Sequence, residues 1–177
     1  VAKKFSEFDL HLTYLRSLIV CTITNKGAYV DCAQYLSSQL QSIPCLTNVG
    51  ILPESPEKCP VVIAKWEGIH PEWPVIILNS HYDVVPAMEE DWTVAKPFAA
   101  ERKDGKVSSD YFLWYVLFIR CTILLMCLSL AKGYGRGAQD MKCVCIQYIE
   151  AIRKLYAIDP AFKPQRSIHL TFVSKGT

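Results

Sequence analysis

The chain has 177 residues, long enough for one domain with a real core. Its formal net charge is +2, which leaves no electrostatic case for a nucleic-acid partner or for an acidic membrane surface. Charged residues make up 20% and hydrophobic residues 51%, a balance that points to an unusually apolar block.

The first residues, Val-Ala-Lys-Lys-Phe-Ser-Glu, carry neither an initiator Met nor the apolar region of a signal peptide. Phe8, Leu12, Leu15 and Ile19 recur at spacings of four, three and four, which describes one face of a helix. Residues 22–27 break it. Tyr29, Cys32, Ala33, Leu36 and Leu40 form a second helical stripe, ending before Pro44. Pro53, Pro56 and Pro60 mark a loop. Residues 61–66 read as a strand, 67–74 as a turn and 75–79 as another strand. Two apolar strands so closely spaced are expected to pair antiparallel, as a hairpin at one side of a mixed sheet.

The second of these strands ends in a polar cluster. The run from Val75 to Leu78 reads as a buried strand and leads into Asn79, Ser80, His81 and Asp83. Open α/β sheets place their sites at such C-terminal strand ends. In extended chain His81 and Asp83 point the same way. Both can bind a metal directly, or the carboxylate can hold the imidazole in the tautomer that binds it. The competing assignment is a His and an Asp that only hydrogen-bond the next loop.

Glu89, Glu90 and Asp91 follow, as a solvated loop or as a negative rim, with Trp92, Pro97 and Phe98 packed beneath. Asp104-Gly105 is a turn signal. The block from Tyr111 to Ala131 is apolar except for Arg120 and is long enough to span a membrane as a helix. Arg120 near its centre would cost about 2.5–3.5 kcal/mol, which so many Leu, Ile and Phe could offset. A glycine-rich turn, Gly135-Arg-Gly, then leads to Asp140, expected where a helix begins. On position alone Asp140 is an N-cap. Met141, Val144, Cys145, Tyr148, Ile149, Ile152 and Leu155 have helical spacing. Pro160 and Pro164 mark a loop, and residues 167–173 alternate as a strand. Ile168, Leu170 and Phe172 share one face of it, and His169 and Thr171 the other, where His169 reads as structural. His11 and His70 carry no constellation. The eight cysteines include no Cys-x-x-Cys and no zinc-finger spacing, and several read as buried small hydrophobes. Reduced thiols without an export signal favour the cytoplasm.

The segments Asn79-Ser-His-Tyr-Asp-Val-Val-Pro86 and Tyr134-Gly-Arg-Gly-Ala-Gln-Asp-Met-Lys142 together resemble the M20 family of zinc-dependent hydrolases. The likeness covers most of residues 10–106 and 134–173 and is nearest to the family's aminoacylases. It implies an α/β fold, a mixed sheet flanked by helices, forming an incomplete N-terminal part of an M20 catalytic domain. It implies that His81 and Asp140 are metal ligands, with Asp140 bridging two Zn2+ ions, and that Asp83 is a catalytic residue orienting His81. The implied reaction is hydrolysis of the amide bond of N-acyl-L-amino acids, by a homodimer. A related M20 dipeptidase or deacetylase is the alternative.

The departures from the family pattern matter equally. In the family a Glu-Glu pair follows the strand that corresponds to residues 167–173, the first as general base and the second as a zinc ligand. Here Ser174-Lys-Gly-Thr follows. The chain is therefore expected to hold a partial zinc site, to be inactive alone, and to lack the lid or dimerisation domain. Family members join Asp-Gly-Lys to Tyr-Gly-Arg-Gly almost directly. The stretch from about Val107 to Gly133 is thus expected to be an apolar insertion foreign to the fold. A competing possibility is a non-enzymatic fragment held at a membrane by the block from Tyr111 to Ala131.

Overall fold

The computed structural model describes residues 29–53, 59–93, 96–98, 101–103, 132–134 and 136–174. The expected first helix and the apolar block lie outside these residues. Helix α1 (Tyr29–Gln41) buries Tyr29, Cys32, Ala33, Leu36 and Leu40, the stripe read from the sequence. Asp31 in its first turn suits the positive end of the helix dipole. Pro44 cannot continue the helix, and the chain turns there into strand β1 (Leu46–Ile51). The sequence patterns predict no strand here. Leu-Thr-Asn-Val-Gly-Ile has a weak strand signal, because Asn and Gly are poor strand formers. The irregularity is real: the register of β1 shifts between Thr47 and Gly50, and Asn48 adopts φ 50°.

Strand β2 (Val62–Trp66) pairs antiparallel with β1, Ile51 facing Val62 and Leu46 facing Trp66. Strand β3 (Ile76–His81) does not pair with β2, so the expected hairpin is corrected. Strand β6 (Ile168–Val173) lies between them, antiparallel to β2 and parallel to β3, giving the order β1-β2-β6-β3. The physical reason is the turn after β2, which wraps the incoming end of β6. Ile69 N–H donates to the Pro164 carbonyl at 2.8 Å, and His70 N–H to that of Gln165 at 3.0 Å. Gly68 N–H donates to Ser167 Oγ at 3.1 Å. A Cβ at Gly68 would sit 2.4 Å from the Arg166 carbonyl carbon, so only glycine permits this approach.

A second expectation also changes. The run from Val75 reads as buried, yet Val75, Ile76 and Ile77 are 41, 45 and 62% exposed. β3 is an edge strand among the described residues, with β6 on one side only.

Helix α2 (Cys143–Ile158) makes the crossover from β3 to β6. It packs on the same sheet face as α1, and Val62, Ala64, Trp66, Leu170 and Phe172 rise from that face into one core. Its buried stripe is Cys145, Ile146, Ile149, Glu150, Ile152 and Arg153. Leu155, expected on that stripe, is 42% exposed, and Arg153 and Glu150 take the inward positions instead. The guanidinium of Arg153 binds the Glu150 carboxylate and donates to the Gln39 carbonyl at 3.2 Å and Ser42 Oγ at 3.0 Å. It thus ties α2 to the end of α1. A buried charge left without its partner is costly. Arg153→Ala is expected to destabilise the fold by about 3–5 kcal/mol, and the paired Glu150→Leu/Arg153→Met exchange to restore most of that. Urea unfolding followed by circular dichroism measures both.

Candidate metal centre

β3 delivers the first residues of the site. Ser80 and Tyr82 point into the core and are 1% and 0% exposed, and Ser80 Oγ lies 3.1 Å from Cys145 Sγ of α2. With Ser80 and Tyr82 inward, strand alternation turns His81 and Asp83 to the other side together. The His81 Nδ1 atom lies 3.2 Å from Asp83 Oδ1 and also 3.2 Å from the Asp83 carbonyl. The Asp83 side chain is only 5% exposed, while that of His81 is 35% exposed. One ring nitrogen is thus held from behind and the other faces outward.

Asp140 meets that outward nitrogen: His81 Nε2 lies 3.2 Å from Asp140 Oδ1. The helix-start position expected for Asp140 is corrected. Its backbone is extended at φ −112° and ψ 98°, and α2 begins only at Cys143, with Lys142 at its cap position. The Asp140 carboxylate therefore caps nothing. It is 86% exposed and aimed across the strand end.

The turn that aims it depends on Gly137. This residue adopts φ 79°, and a Cβ there would lie 2.2 Å from Val84 Cγ1. Lys142 N–H returns to the Gly137 carbonyl at 3.1 Å and closes the turn. The Asp140–Met141 peptide bond is cis. Arg136, just before, donates its N–H to the Pro97 carbonyl at 2.6 Å and lies over the Trp92 ring at 5.7 Å. Pro97 is buried and Trp92 and Phe98 half-buried, while Glu89, Glu90 and Asp91 form an exposed single turn. Glu89 faces Lys96 at 3.5 Å. Of the other histidines, His70 stacks on Trp73 and pairs with Glu72, and His169 sits half-buried in β6. The contacts of Gly137 with Val84 and of Arg136 with Trp92 escaped the sequence analysis, since neither has a periodic signature. Tyr82 had one: alternation through His81 and Asp83 places it inward.

The donor set is that of a zinc site in part. Zinc takes nitrogen and oxygen ligands at about 2.0–2.2 Å, so tetrahedral neighbours lie roughly 3.3–3.6 Å apart. The 3.2 Å between His81 Nε2 and Asp140 Oδ1 is close to that separation. Among the described residues no group of three or more His, Cys, Asp or Glu is placed to hold a metal ion. Cys32 and Cys145 are buried in the core, and burial pushes their thiols up to about 11 and about 12.

Gly137→Ala tests the turn. Overpacking and a left-handed alanine are together expected to destabilise it by about 2–4 kcal/mol. Val84→Ala in the same chain should relieve the clash but not the φ, so recovery should be partial. Thermal unfolding and the loss of a close His81–Asp140 contact by NMR are the measurements.

No family model matches the chain. Named relatives do. It is 36% identical to aminoacylase-1 of Dictyostelium discoideum over 114 residues, 64% of this chain and 21% of that protein. It is 40% identical to aminoacylase-1 of Homo sapiens over 113 residues, with 64% and 21% covered. To aminoacylase-1 of Mus musculus it is 32% identical over 163 residues, covering 90% of this chain and 31% of that protein. The chain spans between about a fifth and a third of the length of these relatives. Among solved structures it is similar to an M20 family metallo-carboxypeptidase of Sulfolobus solfataricus, with a TM-score of 0.61 at 20% identity. That likeness covers 93% of this chain and 30% of the other. It is also similar to human carnosine dipeptidase 1, with a TM-score of 0.55 at 19% identity, covering 96% and 32%. These likenesses show the fold, a mixed α/β sheet of the M20 catalytic-domain kind, of which this chain covers part. With the aminoacylase-1 relatives beside them, these likenesses support an aminoacylase-like M20 fragment.

Proposed function

We propose that the complete protein hydrolyses the amide bond of N-acyl-L-amino acids with zinc, and that this chain carries part of that site. The observation that carries the proposal is His81, held at Nδ1 by Asp83 and met at Nε2 by Asp140. In this assignment His81 and Asp140 would hold the metal, with Asp140 as the carboxylate that two Zn2+ ions would share, and Asp83 would orient His81 and raise its basicity. Zinc, when bound, supplies a Lewis acid for the amide carbonyl and acidifies water. The residues of this chain do the positioning. β3 fixes the imidazole, Asp83 supports it, and the Gly137 turn holds the Asp140 carboxylate at the strand end. The free thiols agree with a cytoplasmic setting, and a homodimer is proposed for the complete protein.

The apolar block is proposed to be an insertion. Its support is the two-stranded ladder of β4 (Glu101–Lys103) and β5 (Lys132–Tyr134), in which Glu101 faces Tyr134 and Lys103 faces Lys132. The residues on either side of the block are thus paired with each other. Because Lys132 and Gly133 belong to β5, the excision that preserves the ladder removes residues 106–131 rather than 107–133. It joins Lys103-Asp-Gly-Lys132 as a two-residue Asp-Gly hairpin in the observed register, a favoured type. No helix among the described residues is long and apolar enough to cross a membrane.

Two experiments test these proposals. The 177-residue chain with zinc is expected to turn over neither N-acetyl-L-methionine nor a dipeptide at a useful rate, since among the described residues only His81 and Asp140 are placed as ligands. The chain lacking residues 106–131 is then placed in human aminoacylase-1 instead of the matched stretch. That chimera should hydrolyse N-acetyl-L-methionine, lose activity on Asp140→Ala, and lose about 10–100-fold on Asp83→Ala. A preference for dipeptides would move the assignment to an M20 dipeptidase. A well-folded chimera indifferent to Asp140→Ala would overturn the site. A chimera that folds only with residues 106–131 retained would overturn the insertion.

A further inference from the structure

We propose that the Tyr82 hydroxyl is a positioning device for the His81–Asp83 pair. The inference rests on the site assigned above. Tyr82 is the residue between the two, and it is fully buried. It is fixed on three sides. Its N–H donates to the Val173 carbonyl at 2.9 Å, the last rung joining β3 to β6. Its ring meets that of Tyr29 in α1 edge-on, with centroids 6.2 Å apart. Its hydroxyl donates to the Pro60 carbonyl, in the segment that enters β2. β3 ends at His81, so Asp83 lies beyond the strand. The depth and tilt of the Tyr82 ring then set the direction of both neighbours, because adjacent extended residues point to opposite sides. Ring packing alone sets depth. The bond to Pro60 adds a fixed end, so the ring cannot slide along the core and carry Asp83 away from Nδ1.

The test is the low-field Nδ1–H proton of His81 in the NMR spectrum of the full chain. This proton is visible only while Asp83 shields it from exchange with water. It is expected in the parent chain and lost in Asp83→Ala. Tyr82→Phe keeps the ring and removes only the hydroxyl, and it should also lose the signal while the core stays folded. Tyr29→Leu should lower the melting temperature yet keep the signal, which separates positioning from general loosening. Loss in Asp83→Ala with retention in Tyr82→Phe overturns the role of the hydroxyl and leaves the His81–Asp83 pair standing. Retention in Asp83→Ala shows that the carboxylate does not hold His81, and the site assignment fails first. Should Tyr82→Phe not fold, Tyr82→Met carries the same test. Failure of both to fold makes the hydroxyl a requirement for folding and overturns the proposal.

Discussion

β6 is hydrogen-bonded along both edges, antiparallel to β2 and parallel to β3, and the candidate site hangs from the second ladder. The register runs from Ile76 facing Ile168 to His81 facing Val173. A one-residue slip would exchange the faces of β3 and send His81 into the core. The slip is opposed from the core side. Ser80 meets Cys145, Tyr82 meets Pro60, and Leu170 and Phe172 have no exposed surface to trade. The direction of the imidazole is therefore decided by what its neighbours bury.

The same strand joins distant parts of the chain. β2 already has β1 beside it, but the only strand beside β3 among the described residues is β6, which follows α2. Long-range pairing of this kind pays its loop-closure entropy before it gains contacts. The Arg153 contacts with Gln39 and Ser42 join α2 to α1 across a similar separation. A charged group suits that place because its fan of donors selects one relative setting of two helices, where a purely apolar contact would tolerate several.

How much was legible follows from the range of each interaction. The α1 stripe, the 61–66 strand and the β6 alternation are local patterns, and the structure keeps them, with β2 beginning at Val62 and β6 at Ile168. The pairing of β2 with β3 was misread, because spacing shows adjacency in sequence and not the strand that comes between. β1 was missed because Asn48 and Gly50 mask a pattern that tertiary pairing rescues. Leu155 was placed inward because apolarity decided its position, whereas Arg153 and Glu150 reach inward as a pair that neither could form alone. At the site, His81 and Asp83 were legible as neighbours at one strand end. That Asp140 would face His81 followed only from the family resemblance. Its backbone is extended where a helix start was expected, and no periodicity announces an irregular turn.

The two carboxylates have opposite surroundings, and their chemistry differs accordingly. Asp83 is nearly buried and gives its oxygen to one imidazole nitrogen, so it serves as a fixed support. Asp140 stands largely in solvent on a turn, so it can open from His81 at little cost. Two carboxylates beside one imidazole gather acceptor atoms at one strand end, a donor set that would suit a dication. His81 Nε2 and Asp140 would hold a metal there, and Asp83 would go on supporting the ring from Nδ1. The half of the site on β3 is preorganised, and the half on the Gly137 turn is adjustable. Metal affinity should then depend on how many further ligands limit the second half, because the first is already set by the sheet.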